Sequence, residues 1–169
     1  MGWFNSVKNP KIKNAKKPSS NMPSGLWKKC VSCGEVLQSQ RLEANNNVCP
    51  NCDHHYRLSA ADRLDLLIDE GSFKEVALDH STKNPLEFSD KHLYSERLVK
   101  AKKKTGRNDG TICGTGLMNG QKVALAIMDF NFMGGSMGVV TGEKIAIAMD
   151  LGYELKIPVI VVSCSGGAR

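Results

Sequence analysis

Cys30-Val-Ser-Cys33 is followed, after residues 34–48, by Cys49-Pro-Asn-Cys52, and these two motifs decide the fold of the N-terminal part of the chain. Two residues between the cysteines of each motif let both thiolates face one tetrahedral ion, at about 2.3 Å from each sulfur. Two such motifs at this spacing are typical of a zinc site. Four thiolates fill the coordination shell, so we predict a structural rather than a catalytic zinc ion, bound by Cys30, Cys33, Cys49 and Cys52.

Other interpretations of the cysteines and their neighbours are weaker. A redox-active Cys-x-x-Cys pair would not need a second copy of the motif. His54 and His55 are alternatives to Cys52 as fourth ligand, although surface residues beside the site are the better interpretation. The two unclustered cysteines, Cys113 and Cys164, fall in predicted strands and are interpreted as small buried hydrophobic residues.

The positive charge of the chain is concentrated near its N-terminus. The 169 residues include 23 Lys and Arg against 17 Asp and Glu, and residues 1–29 hold seven of the lysines and no acid. The rest of the chain is therefore close to neutral. The lysine, proline and serine content predicts a flexible basic tail over residues 1–24, which could be merely solvated or could contact nucleic acid or another anionic surface.

No stretch of the sequence predicts a membrane span or a secretory signal. No apolar run reaches the roughly 18 residues that a spanning helix needs. The opening residues, MGWFNSVKNPKIK, lack an apolar core followed by a small-residue cleavage site. We therefore expect a cytoplasmic protein with no membrane partner.

The zinc ribbon is predicted over residues 25–57 and a helical connector over residues 58–106. The connector opens with a helix over residues 59–70, for which Ser59 is a plausible N-cap and Asp62 completes a capping box. Apolar residues recur on one face of this helix, as expected for packing on a core.

Two glycines mark helix ends in the connector. Gly71 is expected to end the first helix, and residues 72–90 are predicted to be loop. A second helix is predicted over residues 91–105, with lysines at its C-terminal end and Gly106 closing it.

Residues 107–169 are predicted to form the start of a mixed α/β layer. Strands over residues 111–118 and 121–130 flank Asn119-Gly120, a strong signal for a two-residue type I′ hairpin. A helix is predicted to follow, over residues 139–151.

The last predicted strand, residues 158–163, is a continuous apolar run with many β-branched residues. Such composition predicts a strand buried on both faces of a sheet. The glycine turn after it leads to no further predicted element, so the domain is expected to be incomplete in this chain.

Two glycine turns, each after a strand, carry the candidate chemistry. Residues 134–138 read Gly-Gly-Ser-Met-Gly before a helix, where free N–H groups suit an oxyanion or a phosphate, although no Gly-Lys-Ser/Thr follows to make a P-loop. Residues 165–168 read Ser-Gly-Gly-Ala, and consecutive glycines can aim two N–H groups into one oxyanion hole. An ordinary turn is the alternative for each. Ser136 and Ser163 have no nearby His partner in the sequence, so backbone groups are expected to carry much of any catalysis.

Taken together, four stretches closely resemble the family of bacterial acetyl-CoA carboxylase carboxyltransferase β subunits: LWKKCVSCGEVL, VCPNCDHHYRLSAADRLDLLIDEGSF, FNFMGGSMG and SCSGGAR. The resemblance extends over roughly residues 26–169. It implies a crotonase-like (ClpP-related) ββα fold behind the zinc ribbon. It also implies transfer of a carboxyl group from carboxybiotin, carried on a partner protein, to acetyl-CoA, giving malonyl-CoA for fatty acid biosynthesis.

The same resemblance implies roles for individual residues and for partner proteins. Gly166 and Gly167 would match the oxyanion-hole glycines. The turn that holds the acyl-CoA end would be made by Gly134, Gly135, Ser136 and Met137. The active site would also need an α subunit, in an α2β2 heterotetramer, so the resemblance implies that this chain is inactive by itself. The reaction would further need a biotin carboxyl carrier protein and a biotin carboxylase.

A nucleic-acid-binding zinc-ribbon module is the alternative function. Zinc ribbons next to lysine-rich tails often bind DNA or RNA. A pure binding module would have no reason to contain a buried strand that ends in a double-glycine turn, so the second half of the chain favours the enzyme.

Overall fold

The computed structural model describes residues 25–84, 86–89 and 91–169, which fall into two compact units divided between His55 and Tyr56. The tail predicted over residues 1–24 lies outside the described residues. The four-segment division made from the sequence stays a prediction, because its boundaries were drawn from motifs rather than from contacts.

The first unit is built around the cysteine motifs. Strands β1 (Trp27–Lys29) and β2 (Val36–Gln38) pair antiparallel on either side of the first motif, and the short helix α1 (Ser39–Ala44) follows directly. Among the described residues of this unit, the buried apolar side chains are few: Cys30, Leu37, Leu42 and Cys49. A core this small stabilises the unit weakly, so metal binding would have to supply much of its folding free energy.

The second unit begins with helix α2 (Ala60–Leu67), whose predicted capping box is confirmed. The Ser59 hydroxyl accepts a hydrogen bond from the Asp62 N–H at 3.1 Å, and the Asp62 carboxylate accepts one from the Ser59 N–H at 3.2 Å. The helix ends at Leu67, before the predicted stop at Gly71, because Ile68 turns to an extended conformation and is buried against the sheet.

Strand β3 (Lys74–Glu75) lies in the segment predicted to be loop, and that prediction is wrong at these two residues. β3 pairs antiparallel with Thr115 and Gly114. A strand of two residues has no detectable periodicity, so only its pairing partner reveals it.

The predicted second helix is confirmed as α3 (Tyr94–Thr105), with Gly106 at its C-cap. Its buried residues, Leu98 and Ala101, pack against Phe132, which is fully buried. α3 therefore rests on the segment that leads into the first glycine turn.

The predicted hairpin is confirmed as β4 (Thr111–Met118) and β5 (Gln121–Met128). Asn119 and Gly120 have φ values of 50° and 77°, as a type I′ turn requires. The carboxylate of Asp69 accepts hydrogen bonds from both turn N–H groups, at 3.0 and 2.8 Å, and so ties the hairpin to the segment after α2.

Helix α4 (Val139–Leu155) crosses over to β6 (Val159–Val162), which pairs parallel with β5, so the sheet has the order β3-β4-β5-β6. α4 runs past its predicted end at residue 151, and Gly152 lies within it. There is no room for a side chain at Gly152, because an added Cβ would lie 2.1 Å from a Val159 methyl group.

The prediction that the last strand is buried on both faces is wrong for this structure. β6 lies at the edge of the sheet, where Val159 and Val161 are 39% and 37% exposed. The strand that is buried on both faces is β5, whose last six residues are all buried between α2 on one face and α4 on the other. Composition alone does not distinguish the two strands, because position in the sheet decides burial.

Candidate functional site

The four cysteines of the first unit come together as a metal site. Their ligand atoms all lie within 4.8 Å of one another, with Cys30 Sγ 3.8 Å from Cys52 Sγ and Cys33 Sγ 3.9 Å from Cys49 Sγ. A tetrahedral zinc ion with bonds of about 2.3 Å requires sulfur–sulfur edges of about 3.8 Å. These two sulfur–sulfur distances therefore match the spacing that zinc needs, and all four thiols lie close enough to surround one ion.

Both motifs use the same backbone turn to aim their thiols. The Gly34 N–H donates to the Cys30 carbonyl at 3.0 Å, and the Asp53 N–H donates to the Cys49 carbonyl at 3.0 Å. Each turn thus brings the two cysteines of one motif to the same side. Within residues 25–84, 86–89 and 91–169, neither His54 nor His55 joins the cluster.

The electrostatics of the cluster favour a cation. Hydrogen bonds from the Asn51 side chain and the Glu35 backbone lower the pKa of Cys33. A backbone hydrogen bond at His54 lowers the pKa of Cys52, but desolvation and the neighbouring thiols of Cys33 and Cys49 outweigh it and raise that pKa to about 11. Thiolates crowded together repel, and a divalent cation removes that repulsion.

The two unclustered cysteines have different environments. Cys113 is fully buried in β4, as predicted, and burial raises its pKa. Cys164 follows β6 instead of lying in it and is only partly buried, so its prediction as a buried strand residue is wrong. The carbonyl oxygen of Cys164 lies against Gly135 of the first glycine turn.

In the second unit the two glycine turns are docked on each other through their backbones. The Met137 N–H donates to the Gly167 carbonyl at 2.8 Å, and the Arg169 N–H donates to the Met137 carbonyl at 2.8 Å, which makes a parallel bridge between Met137 and Ala168. The Gly166 N–H donates to the Gly134 carbonyl at 3.1 Å. The sequence presents these turns as separate motifs, and the pairing of β5 with β6 brings them together.

Gly135 is the point of closest approach between the turns. A Cβ at this position would lie 2.0 Å from the Cys164 carbonyl oxygen, closer than any real contact. The residue also has φ of 68°. Any side chain at Gly135 would therefore push the turns apart.

Both N–H groups proposed from the sequence for an oxyanion hole already have acceptors within the chain. The acceptor of the Gly166 N–H is a backbone carbonyl in the facing turn. The acceptor of the Gly167 N–H is the Ser165 hydroxyl, at 2.9 Å, on an exposed side chain that can rotate. The Gly167 N–H is therefore the easier of the two to redirect to a ligand oxygen.

A buried ionic network beside the turns is absent from the sequence predictions. Asp109 is completely buried, and its carboxylate accepts hydrogen bonds from Thr82 at 2.7 Å, from Thr141 at 3.0 Å and from the Arg169 guanidinium at 3.2 Å. No sequence signal marks Asp109, because an aspartate before a glycine is also typical of an exposed turn.

A cavity of 720 Å³ lies next to this network and to the first glycine turn. Its lining is mostly apolar, and it includes the cationic residues Lys83, Arg97 and Arg169. α4 begins at the same place, with Gly138 as its N-cap, no capping side chain and no acid in its first turn. Together these features leave the region suited to an organic molecule that carries negative charge.

Comparison with known proteins yields two matching family models. The model described as "carboxyl transferase domain" matches residues 54–169, and the model described as "acetyl-CoA carboxylase zinc finger domain" matches residues 27–52. The first covers well over half of the chain. Both matches agree with the fold predicted from the sequence, a four-cysteine zinc ribbon followed by part of a crotonase-like carboxyltransferase domain.

Similar curated proteins are acetyl-coenzyme A carboxylase carboxyl transferase β subunits. The protein from Citrifermentans bemidjiense is 46% identical over all of this chain and 60% of its own length. The one from Carboxydothermus hydrogenoformans is 47% identical over 88% of this chain and 52% of its own length. The chain thus spans little more than half the length of these relatives.

A solved structure of transcarboxylase 12S, with methylmalonyl-coenzyme A and methylmalonic acid bound, is similar in fold. It has a TM-score of 0.53 and 29% identity, over 67% of this chain and 19% of that chain. Of the helices that the structure describes here, none has the length and apolar character to cross a membrane.

The metal site is tested by replacing one ligand. We expect the purified chain to hold one tightly bound zinc ion, and Cys33→Ser to lose it and to unfold the first unit, because metal binding supplies most of that unit's folding free energy. Metal analysis and amide exchange measure the two effects. The second unit, with its own core, serves as the internal control and should keep its exchange protection. Absence of zinc from protein kept reduced throughout purification would refute the site.

The close approach of the turns is tested by a matched pair of substitutions. Gly134 and Gly135 both have φ of 68°, but an added Cβ at Gly134 meets nothing within 4 Å. Gly134→Ala should cost about 1 kcal/mol of stability from backbone conformation alone, whereas Gly135→Ala should cost clearly more, because it also breaks the packing of the turns. Denaturant unfolding of both variants measures the difference. Equal costs would contradict the docking of the turns described above.

Proposed function

The chain belongs to the carboxyl transferase domain family, and from this we propose that it acts as the β subunit of an acetyl-CoA carboxylase carboxyltransferase. The observation that carries the proposal is the docking of two glycine turns into one backbone-lined surface beside a partly cationic cavity. The four-cysteine ribbon in the same chain supports this choice within the family. The zinc ion would be structural.

The proposed reaction moves a carboxyl group to the methyl carbon of acetyl-CoA and gives malonyl-CoA for fatty acid biosynthesis. Carboxybiotin on a carrier protein would supply the carboxyl group. The methyl carbon must lose a proton before it can accept the carboxyl group, and in the overall reaction that proton would replace the carboxyl group on the biotin nitrogen. Once the proton has left, the negative charge of the substrate lies on the thioester oxygen. N–H groups fixed at that oxygen favour the enolate over the neutral thioester, which is the differential binding that catalysis requires.

We assign the donor role first to Gly167. Its N–H is held by the exposed Ser165 hydroxyl, so a substrate oxygen can replace that hydroxyl without disturbing the backbone. Gly166 is the second candidate, since its N–H would have to leave the Gly134 carbonyl. Residues of the first turn, Gly134, Gly135, Ser136 and Met137, would hold the acyl-CoA end.

Partners complete the proposed enzyme. An α subunit would supply the facing half of the active site, in an α2β2 heterotetramer. A biotin carboxyl carrier protein and a biotin carboxylase would deliver the activated carboxyl group. The reaction would take place in the cytoplasm, where fatty acid biosynthesis would use its product.

Nucleic-acid binding by the ribbon is the second candidate function, and one observation favours it. Trp27 is 53% exposed on β1 and is followed by Lys28 and Lys29, which are exposed as well. An exposed aromatic ring next to cations is the arrangement that stacks on a base of single-stranded nucleic acid while lysines contact phosphates.

The nucleic-acid candidate predicts binding that weakens strongly with salt, since lysine–phosphate contacts release counterions. Trp27→Ala should lower affinity for single-stranded RNA about tenfold or more, from the loss of one stacked base. Titrations at two salt concentrations measure both effects. The control is Val36→Ala, at an exposed apolar residue on the paired strand. Salt-independent binding, or equal effects of the two substitutions, would exclude this mode.

The carboxyltransferase proposal is tested with Gly167→Val in the complete β subunit assembled with its α partner. Gly167 has φ of 126°, a conformation that a β-branched residue does not adopt, so the substitution must turn the N–H away. Loss of one such donor slows catalysis by about 10²–10³-fold, and we expect malonyl-CoA formation to fall at least that far. Zinc content and assembly should be retained.

The matched control for Gly167→Val is Gly120→Val, in the β4–β5 hairpin. Gly120 also has a positive φ, 77°, and open space around it, so the substitution imposes similar backbone strain away from the two glycine turns. It should lower stability and leave the turnover number unchanged. Wild-type turnover in the Gly167→Val complex would remove Gly167 from the site.

A further inference from the structure

The guanidinium group of Arg169 lies at the centre of the contacts between the glycine turns and their surroundings. Its Nε donates to the Tyr94 hydroxyl at 2.8 Å, Nη1 donates to the carbonyl and the hydroxyl of Ser136, and Nη2 donates to Asp109 and Thr82 at 3.2 Å each. The side chain is only 11% exposed. Every nitrogen of the group is thus engaged by a residue from a different part of the second unit.

The buried carboxylate of Asp109 forms an ion pair with this guanidinium. Its side chain is completely buried, and one carboxylate oxygen accepts from Thr141 in α4 while the other accepts from Thr82 and Arg169. A buried carboxylate is strongly stabilised by an ionised, hydrogen-bonded partner. The pair therefore gives Arg169 one position relative to α4.

Arg169 forms hydrogen bonds to the first glycine turn with both its side chain and its backbone. The guanidinium holds the Ser136 carbonyl, and the Arg169 N–H holds the Met137 carbonyl. Because Arg169 is two residues after Gly167, these bonds also fix where Gly167 lies. An added Cβ on Gly138 would lie 2.9 Å from the guanidinium, so the end of the turn is packed on it as well.

We propose that Arg169, anchored by Asp109, is a positioning residue that sets the distance between the two glycine turns and so aims the Gly167 N–H. The effect on catalysis that we expect from this role rests on the proposed carboxyl transfer. Arg169 itself touches no reacting atom in this scheme. A donor stabilises a developing oxyanion only when its position is fixed in advance, and a displacement of about 1 Å can lower the rate about 10²-fold.

The test replaces Arg169 with lysine in the complete β subunit assembled with its α partner. Arg169→Lys keeps the charge beside Asp109 but loses the fork that reaches Ser136 and Tyr94 together. We expect kcat to fall about 10²-fold while the KM for acetyl-CoA stays within about threefold, since the variant misplaces a donor but keeps a positive charge at the wall of the cavity.

The matched control is Arg107→Lys. Arg107 pairs with Glu75 on β3 and is also partly buried, with 25% of its side chain exposed, but the pair includes no residue of the glycine turns. It should lower stability and leave kcat unchanged. A second variant, Tyr94→Phe, removes only the acceptor for Nε and should lower kcat by a smaller factor, which keeps the test decisive if Arg169→Lys fails to assemble.

A readout independent of activity separates this inference from the proposed function. In the 169-residue chain, amide exchange at Met137 and Gly167 should be at least tenfold faster in Arg169→Lys than in wild type, and unchanged in Arg107→Lys. If the wild-type complex makes no malonyl-CoA, the proposed function fails and the exchange rates still decide the positioning role. The positioning role would be overturned if Arg169→Lys changed neither amide exchange nor kcat. A rise in KM alone would also overturn it, because Arg169 would then be a substrate-binding residue.

Discussion

The contact between the Gly135 backbone and the Cys164 carbonyl is the constraint on which the second unit depends. The two backbones approach so closely that a side chain is excluded, and this proximity exists only because β6 lies parallel and adjacent to β5. A parallel neighbour requires a crossover, which α4 provides. The glycine turns, the helix between them and the order of the strands are therefore consequences of one another, and a change in any of them would separate the two sets of N–H groups.

The two units are stabilised in different ways. In the ribbon, few apolar side chains are buried, and four thiolates at zinc spacing supply the missing free energy through a metal ion. In the second unit, β5 is buried between two helices and provides an ordinary apolar core. Removing the metal is thus expected to affect one unit alone, whereas the chemistry proposed for the second unit would depend on the precise position of its backbone groups.

Glycine has no side chain that could hold the backbone in one conformation. Backbone N–H donors in a glycine turn therefore depend on neighbouring residues for their position. Here a buried ion pair lies against the two glycine turns. Asp109 and Arg169 form a buried pair whose desolvation is offset by hydrogen bonds from Thr82 and Thr141, and the guanidinium then holds the Ser136 carbonyl. The proposed donors are uncharged N–H groups, and the residues packed beside them carry the buried charges of this part of the chain.

The sequence by itself determined the features that depend on local spacing. The zinc ligands follow from two Cys-x-x-Cys motifs, the start of α2 from the capping box at Ser59, and the β4–β5 turn from Asn119-Gly120, because each is decided within a few residues of chain. Only the tertiary structure decided which apolar strand is central, that Lys74–Glu75 pairs with β4, and that Asp109 meets Arg169 across 60 residues. Burial and long-range pairing depend on where each element lies in the sheet, and local sequence does not encode that position.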